Sequence, residues 1–140
     1  MKILVGISWW VDSAVSAWLL KEQWHEVVAW FMKNYISDWP NCTTRKDSEE
    51  AIKVCKFLWI ELIAFDFIKE YNEKIVQYIY NWYEKWITPN PDVLCNNLIK
   101  FDLFLNKALE LWFDKIATWH YSSIKMEKWK NGKMKVKWFK

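Results

Sequence analysis

Tryptophan stands at the helix ends of this chain, where folded proteins usually place glycine. Trp24, Trp59 and Trp112 each follow a segment with helical spacing and precede a short segment typical of a strand. The residue after a helix commonly adopts a positive φ, which glycine reaches freely and which strains a residue with a Cβ atom. The chain contains 13 Trp but 2 Gly in 140 residues, although glycine averages about 7% of a protein. The pattern predicts left-handed residues at these three positions.

This placement suggests that the tryptophans are misread glycines. Some bacterial lineages read the codon UGA as glycine, and a gene from such a lineage yields this pattern when UGA is translated as tryptophan. A tryptophan-rich core is the simpler interpretation, but tryptophans placed at random would not recur at the ends of helices. We therefore infer that many of these positions are glycine in the working protein. Codons other than UGA at these positions would contradict the hypothesis.

The composition indicates one globular domain, or a large piece of one, with 53% hydrophobic and 26% charged residues. No stretch approaches the length of an apolar membrane span, and the N-terminus becomes polar too early for a signal peptide. Cys42, Cys55 and Cys95 are an odd number without metal-type spacing, which favours reduced thiols. We expect a cytoplasmic protein that does not associate with membranes.

The net charge of +3 is unevenly distributed, because residues 125–140 contain seven lysines and one glutamate. A basic segment of this kind attracts phosphates. Lysines on an edge hairpin also discourage aggregation, and this interpretation is at least as well supported by the sequence.

Strand-like and helix-like segments alternate along the chain. Short apolar runs predict strands at 2–7, 26–32, 60–67 and 114–118. Helices are predicted at 12–23, from Thr43 or Thr44 to 58, at 69–86 and at 92–111, with a loop over 33–41 and a break at the prolines of 87–91. Asn131-Gly132 predicts a hairpin. The fold class expected is α/β, a Rossmann-like parallel sheet with helices on both faces, ending in a β-hairpin.

The turn after the first strand is the best candidate for a phosphate site, because ligands of such sheets bind beyond the carboxyl ends of the strands. Ser8 and Ser13 offer hydroxyl donors, and Asp12 is placed to orient a magnesium ion. The turn is neither a Walker A loop nor a G-x-G-x-x-G turn. With glycine at 9 and 10 it reads Ser-Gly-Gly-Val-Asp-Ser, which resembles the pyrophosphatase loop of ATP-dependent adenylating enzymes. As printed, two indoles fill the space that phosphates need. An ordinary strand-to-helix turn is the competing interpretation.

Cys95 is the candidate reactive thiol. If Asp92 caps the helix that follows, Cys95 is its third residue and faces unpaired N–H groups at the positive end of the helix dipole. That position predicts a lowered thiol pKa. Cys55 lies in an apolar helical rhythm and is interpreted as structural, and Cys42 at a loop start is given the same interpretation.

Four segments narrow the family: Phe31-Met32-Lys33-Asn34, residues 88–96 (Thr-Pro-Asn-Pro-Asp-Val-Leu-Cys-Asn), Ile99-Lys100-Phe101, and residues 116–121 (Ile-Ala-Thr-Trp-His-Tyr). Their sequence and order resemble the tRNA-specific 2-thiouridylases over essentially all 140 residues. Many tryptophans stand where that family has glycine: Trp9, Trp10, Trp24, Trp30, Trp59, Trp86, Trp112, Trp119 and Trp138. Trp18 stands where a large aromatic residue is acceptable, and we interpret it as genuine.

The resemblance implies ATP as cofactor, with magnesium, and tRNA as partner. ATP would be bound by Gly6, Ile7, Ser8, Trp9, Trp10, Val11, Asp12 and Ser13, with Met32 and Trp119 beside the nucleotide. It would activate the C2 oxygen of the wobble uridine as an adenylate, which a persulfide sulfur on a second cysteine would replace. That sulfur would come from a sulfur-relay protein or a cysteine desulfurase.

The resemblance also assigns roles within residues 90–95. Cys95 matches the first catalytic cysteine, which pairs with the persulfide cysteine to complete sulfur release. Asn90, Pro91 and Asp92 match the segment that meets the target base. Asp92 is a second catalytic candidate for proton transfer, with N-capping as its competing role. His120 is expected to pack beside the nucleotide.

The family's second cysteine lies downstream of residue 140. We therefore expect residues 1–140 to be an N-terminal ATP-binding domain of a longer enzyme, able at best to bind ATP alone. If Trp9 and Trp10 are real, the alternative is a catalytically inactive RNA-binding or interaction module, in which exposed indoles stack on bases. A third possibility, another adenylating enzyme, is disfavoured by the segment 88–96.

Overall fold

A computed structural model describes residues 1–33 and 44–120, together with the backbone of two strands beyond them. Residues 34–41 of the predicted loop, Cys42, Thr43 and the Asn131-Gly132 turn lie outside the described residues, whereas Lys33, predicted as the first loop residue, ends the second strand. No helix in the described part is long and apolar enough to cross a membrane.

Four parallel strands form the central sheet in the order β3-β2-β1-β4: β1 (Lys2–Ile7), β2 (Glu26–Lys33), β3 (Glu61–Asp66) and β4 (Lys115–Ala117). Ile3 lies opposite Val27 on one side and Lys115 on the other, so β1 is an interior strand. Strands β5 (Ser123–Lys128) and β6 (Met134–Phe139) pair antiparallel as a separate ribbon. The predicted parallel sheet and terminal hairpin strands are confirmed.

Helices follow the strands as predicted, with bounds that differ by a few residues. They are α1 (Val11–Glu22), α2 (Thr44–Leu58), α3 (Ile68–Tyr71), α4 (Gln77–Tyr83), α5 (Pro91–Leu94) and α6 (Phe104–Glu110). A first π-helical segment (Asn72–Val76) joins α3 to α4, and a second (Cys95–Leu103) joins α5 to α6. The backbone stays in the right-handed helical region across these junctions, so each set is one continuous helix.

Two apolar layers cover the sheet. On one face, Leu4 and Trp30 pack with Ile75, Ile99 and Phe104 from the two continuous helices. On the other face, the remaining sheet side chains pack with residues of α1 and α2, among them Ala17, Ala51, Cys55 and Leu58. Parallel sheets are stable only when both faces are buried, and the predicted placement of helices on both faces is confirmed.

Four residues other than glycine have a positive φ in the described chain, and all four are tryptophan. They are Trp24, Trp59, Trp86 and Trp112, with φ of 62°, 54°, 57° and 60°. In each case the N–H of the tryptophan donates to the carbonyl three residues before it. The following N–H donates to the carbonyl five residues before it, at distances between 2.9 and 3.3 Å in all four turns. This is the Schellman arrangement, in which the left-handed residue is usually glycine. The prediction at three of these positions is confirmed.

The indoles at these turns contribute little packing, since each is between 87% and 98% exposed.

Trp30 is unfavourable for a different reason. It is fully buried between Phe65, Phe67 and Phe104, and its Nε1 has no hydrogen-bond partner. An unsatisfied buried N–H costs on the order of 1–3 kcal/mol.

Replacing the left-handed tryptophans by glycine is expected to stabilise the domain. Each of W24G, W59G, W86G and W112G relieves Cβ strain while removing an exposed side chain, and should raise the free energy of unfolding by about 1 kcal/mol. The measurement is equilibrium urea unfolding of each variant.

Trp18 is the matched control, because it lies inside α1 and is half exposed. The change W18G should lower the free energy of unfolding, since glycine is unfavourable in a helix interior. A uniform loss of stability at all five positions would contradict the left-handed strain.

Candidate nucleotide site and its cysteine

The candidate site lies at the carboxyl ends of β1 and β4, where the strand order reverses. Chain connections leave β1 toward β2 on one side and return through β4 on the other, so a crevice opens between them. A pocket of about 260 Å³ occupies it. Its lining comes from the first turn, the end of β2, the start of α2, the second π-helical segment and the residues after β4: Ile7, Ser8, Trp9, Phe31, Met32, Thr44, Asp47, Lys100 and Trp119.

The serines of the first turn hold the turn itself. The backbone N–H of Ser8 donates to Ser13 Oγ at 3.0 Å, and the Ser13 hydroxyl lies 2.8 Å from the Trp10 carbonyl. The Trp10 N–H reaches Ser8 Oγ at 3.3 Å. Ser13 is fully buried and does not line the pocket. It orders the strand-to-helix turn, and its contact with a phosphate stays a prediction.

Two indoles belong to this turn, and one of them, Trp9, lines the pocket. The rings of Trp9 and Trp10 lie 4.5 Å apart and both are about half exposed. Trp10 precedes α1 with φ −82° and makes no side-chain cap, so glycine at this position would relieve crowding rather than backbone strain. Phosphates approach a helix start only where small side chains let the backbone N–H groups reach them. The indoles hinder that approach, and phosphate binding at this turn stays a prediction.

Some of the remaining residues assigned to the nucleotide line the pocket, and others lie outside it. Met32 and Trp119 line the pocket, and Trp119 Cζ3 would lie 3.1 Å from a Cβ placed on Gly6, so a side chain at that position would require the indole to shift. Val11 is exposed at the start of α1, and Asp12 lies in its first turn. Among the described residues no group of three His, Cys, Asp or Glu is arranged to hold a metal. Magnesium at Asp12 stays a prediction.

The prediction that Asp92 caps the following helix is wrong. Asn90 is the N-cap, and its side chain accepts a hydrogen bond from the Val93 N–H at 3.4 Å. Pro91 is the first helical residue, a position that suits proline because its φ is preset and no N–H is needed there. Asp92 is therefore the second residue of α5. Its carboxylate is exposed, as is the side chain of Asn90.

The predicted lowering of the Cys95 pKa is also wrong. With the cap at Asn90, Cys95 is the fifth helical residue, and its N–H already donates within the helix to the carbonyls of Pro91 and Asp92. Burial raises the pKa of the Cys95 thiol above its ordinary value, and the Asp92 carboxylate adds to that rise, while the Lys100 charge opposes it. Cys55 is nearly fully buried, which raises the pKa of its thiol to about 11. The structural interpretation of Cys55 fits this placement.

His120 joins the end of the sheet to the second π-helical segment. Its Nδ1 lies 2.9 Å from Thr118 Oγ1, and its Nε2 lies 3.3 Å from Asn96 Oδ1. Burial lowers the pKa of His120, and the positive charge of Lys100 lowers it further. The imidazole is therefore neutral at neutral pH. His120 is not among the residues that line the pocket, and its packing beside a nucleotide stays a prediction.

Sequence reasoning missed four residues of this site. Thr44 and Asp47 line the pocket from α2, and Lys100 lines it from the second π-helical segment. Asn96 holds His120. Asn96 and Lys100 lie four residues apart within the segments that carry the family resemblance, and that helical spacing is a signal that could have singled them out.

A doubly wound parallel sheet with a turn-and-pocket site at its switch point defines a Rossmann-like, nucleotide-binding class of domain. The family model described as "tRNA methyl transferase HUP domain" matches residues 1–138. The chain belongs to this family.

Two curated relatives are similar to most of the chain. The chain is 50% identical over 128 residues to the tRNA-specific 2-thiouridylase MnmA of Legionella pneumophila (strain Paris), covering 90% of this chain and 36% of that protein. It is 46% identical over 125 residues to the protein of the same name from Bacillus subtilis (strain 168), covering 88% and 34%. The chain therefore spans about a third of the length of these relatives.

A solved structure shares the fold. The U34-tRNA thiolase NcsA from Methanococcus maripaludis, described with its 4Fe–4S cluster, superposes with a TM-score of 0.63 at 24% identity. The match covers 86% of this chain and 38% of that one.

The misreading hypothesis predicts the mass of one peptide. In protein isolated from its native source, trypsin should release residues 3–21 with glycine at positions 9 and 10 and tryptophan at position 18. Trp18 is an internal control within the same peptide, since it lies in the helix interior. Peptide mass spectrometry with fragmentation distinguishes the positions. Tryptophan at 9, 10 and 18 alike would contradict the hypothesis.

Proposed function

We propose that this chain is the ATP-binding part of a tRNA 2-thiouridylase, which replaces the C2 oxygen of the wobble uridine by sulfur. The observation that carries the proposal is the pocket at the carboxyl ends of β1 and β2, which Ser8 and Trp9 of the first turn and Trp119 after β4 also line. The helix that starts at Pro91 and bears Cys95 contributes Lys100 to the same pocket. The MnmA relatives bear the name of this activity, and the chain matches about a third of their length.

ATP is proposed to bind with its phosphates on the turn of residues 6–13 and its base beside Met32 and position 119. Backbone N–H groups at the start of α1 are the donors that phosphates need. Glycine at 9, 10 and 119 removes three indoles from the turn and the pocket wall. Asp12 in the first turn of α1 is the proposed magnesium contact, and the ion would offset the charge on the leaving pyrophosphate.

The first chemical step is adenylation of the base. The C2 oxygen of the uridine attacks the α-phosphorus of ATP, the bond to the bridging oxygen breaks, and pyrophosphate leaves. The neighbouring ring N–H loses its proton, for which the exposed Asp92 carboxylate is the proposed acceptor. Asn90 and Pro91 begin the same helix and are proposed to meet the base there.

The second step exchanges oxygen for sulfur. The terminal sulfur of a persulfide on another cysteine attacks C2, and the carbon–oxygen bond to AMP breaks. The Cys95 thiolate then attacks the inner sulfur of that persulfide. The sulfur–sulfur bond breaks, its electron pair stays on the sulfur bound to C2, and the two cysteines are left as a disulfide. A thiol reductant restores them before the next turnover.

The partners follow from this chemistry. The substrate is tRNA, and the lysine-rich segment 125–140 is proposed to attract its phosphates. The persulfide is proposed to come from a sulfur-relay protein or a cysteine desulfurase. The compartment proposed for the protein is the cytoplasm, where thiols remain reduced.

ATP binding tests the proposal directly. The variant W9G/W10G/W119G should bind ATP at least tenfold more tightly than the chain as printed, because the indoles no longer occupy the turn and the pocket wall. Isothermal titration calorimetry measures the difference.

The matched control is W24G/W59G/W86G/W112G, which makes the same chemical change at four exposed turns that do not line this pocket. It should gain stability without gaining ATP affinity. Equal affinity of the two variants, or no binding by either, would contradict the nucleotide site.

One observation favours a second function. The exposed Trp9–Trp10 pair offers ring faces on which bases of single-stranded RNA can stack. If both residues are genuine, the printed chain should bind a short single-stranded RNA. The change W9A/W10A should weaken that binding about tenfold or more in a fluorescence anisotropy titration, and W24A/W59A should leave it unchanged.

A further inference from the structure

The second π-helical segment changes which side chains share a helix face. In an α-helix of about 3.6 residues per turn, residues five apart point roughly 140° away from each other. Cys95 and Lys100 are five apart, at the start and middle of this segment. Its hydrogen bonds span five residues, as when the Phe104 N–H donates to the Ile99 carbonyl. Lys100 therefore comes onto the face that carries Cys95.

Lys100 also reaches the candidate nucleotide pocket, whereas Cys95 packs against the core cluster of Leu4 and Trp30. Lys100 is half-buried, lines the pocket with Ser8 and Trp9, and is the one cation among the described residues of its lining. Its Nζ lies 5.6 Å from the centre of the Trp119 ring. The side chain of Lys100 thus extends from the helix that bears Cys95 toward the turn proposed to bind phosphate.

The charges around Cys95 come from three elements. Asp92 on α5 disfavours a thiolate, and Lys100 on the π-helical segment favours one. His120, which follows β4, contacts Asn96, and burial together with Lys100 keeps it neutral. Among these described groups, Lys100 is the positive charge that stabilises an ionised Cys95.

We propose that Lys100 is a positioning residue whose ammonium partly offsets the burial of Cys95 and so increases the fraction of its thiol that is in the ionised, nucleophilic form. A thiolate is the species that attacks a disulfide or persulfide sulfur. The use of that thiolate in sulfur transfer rests on the proposed function, whereas the pairing of Lys100 with Cys95 does not.

The test is the rate at which iodoacetamide alkylates Cys95 in the 140-residue chain, followed by site-resolved mass spectrometry between pH 6 and 10. The change K100M removes the cation, so the pKa of the thiol rises and less thiolate is present at a given pH. Alkylation at pH 7.5 should slow about threefold to tenfold, and the pH profile should shift upward. K100Q should act in the same direction.

Two variants separate charge from packing. K100R keeps the cation and should restore the parent profile. K107M removes another half-buried lysine of the same continuous helix, one that pairs with Glu110 at 2.7 Å and does not line the pocket. It should also leave the parent profile unchanged. Cys55 in each sample reports any opening of the fold, since it is buried and should remain unreactive.

Superimposable profiles for the parent, K100M and K100Q would overturn the proposal, as would a K100R profile that matches K100M. The experiment uses neither ATP nor tRNA. If W9G/W10G/W119G fails to bind ATP while K100M still slows Cys95, the nucleotide site is wrong and the pairing of Lys100 with Cys95 stands.

Discussion

The reversal of the chain at each helix end is the constraint on which this fold depends. A parallel sheet requires every strand to begin at the same edge, so each helix must turn sharply back before the next strand. Trp24, Trp59 and Trp112 make those reversals into β2, β3 and β4, and Trp86 makes the same turn between α4 and α5. All four have the hydrogen bonds of one motif, which accepts a Cβ atom only with strain. The backbone at these four turns therefore has the conformation that glycine usually occupies.

The candidate site depends on two local features of the structure. The first is the buried Ser13, whose hydroxyl ties down the turn between β1 and α1. The second is the π-helical segment that begins at Cys95 and carries Lys100 into the same pocket. Short π-helical stretches inside α-helices often mark functional sites, because they change the register of side chains at the price of weaker backbone hydrogen bonding. Here the segment begins at the half-buried cysteine of the described chain and reaches the pocket through Lys100.

Sequence reasoning succeeded where local chemistry decides the structure. The strand at 2–7, the order of helices and strands, and the left-handed turns at 24, 59 and 112 follow from apolar runs, helical spacing and helix-end positions. It failed at the start of the helix bearing Cys95. Asp92 is a good capping residue in isolation, but Pro91 suits the first helical position, and Asn90 caps instead. That shift of two residues moved Cys95 away from the free N–H groups.

The sequence by itself determined the class of fold, the family resemblance and the positions at which tryptophan conflicts with the backbone. These are matters of periodicity and of single-residue conformational preference, which act over a few residues. Only the tertiary structure decided the electrostatic state of the site. Burial against the core raises the pKa of Cys95, and the π-helical register brings Lys100 toward it. Neither is readable from spacing, because desolvation and charge proximity depend on which distant elements pack together.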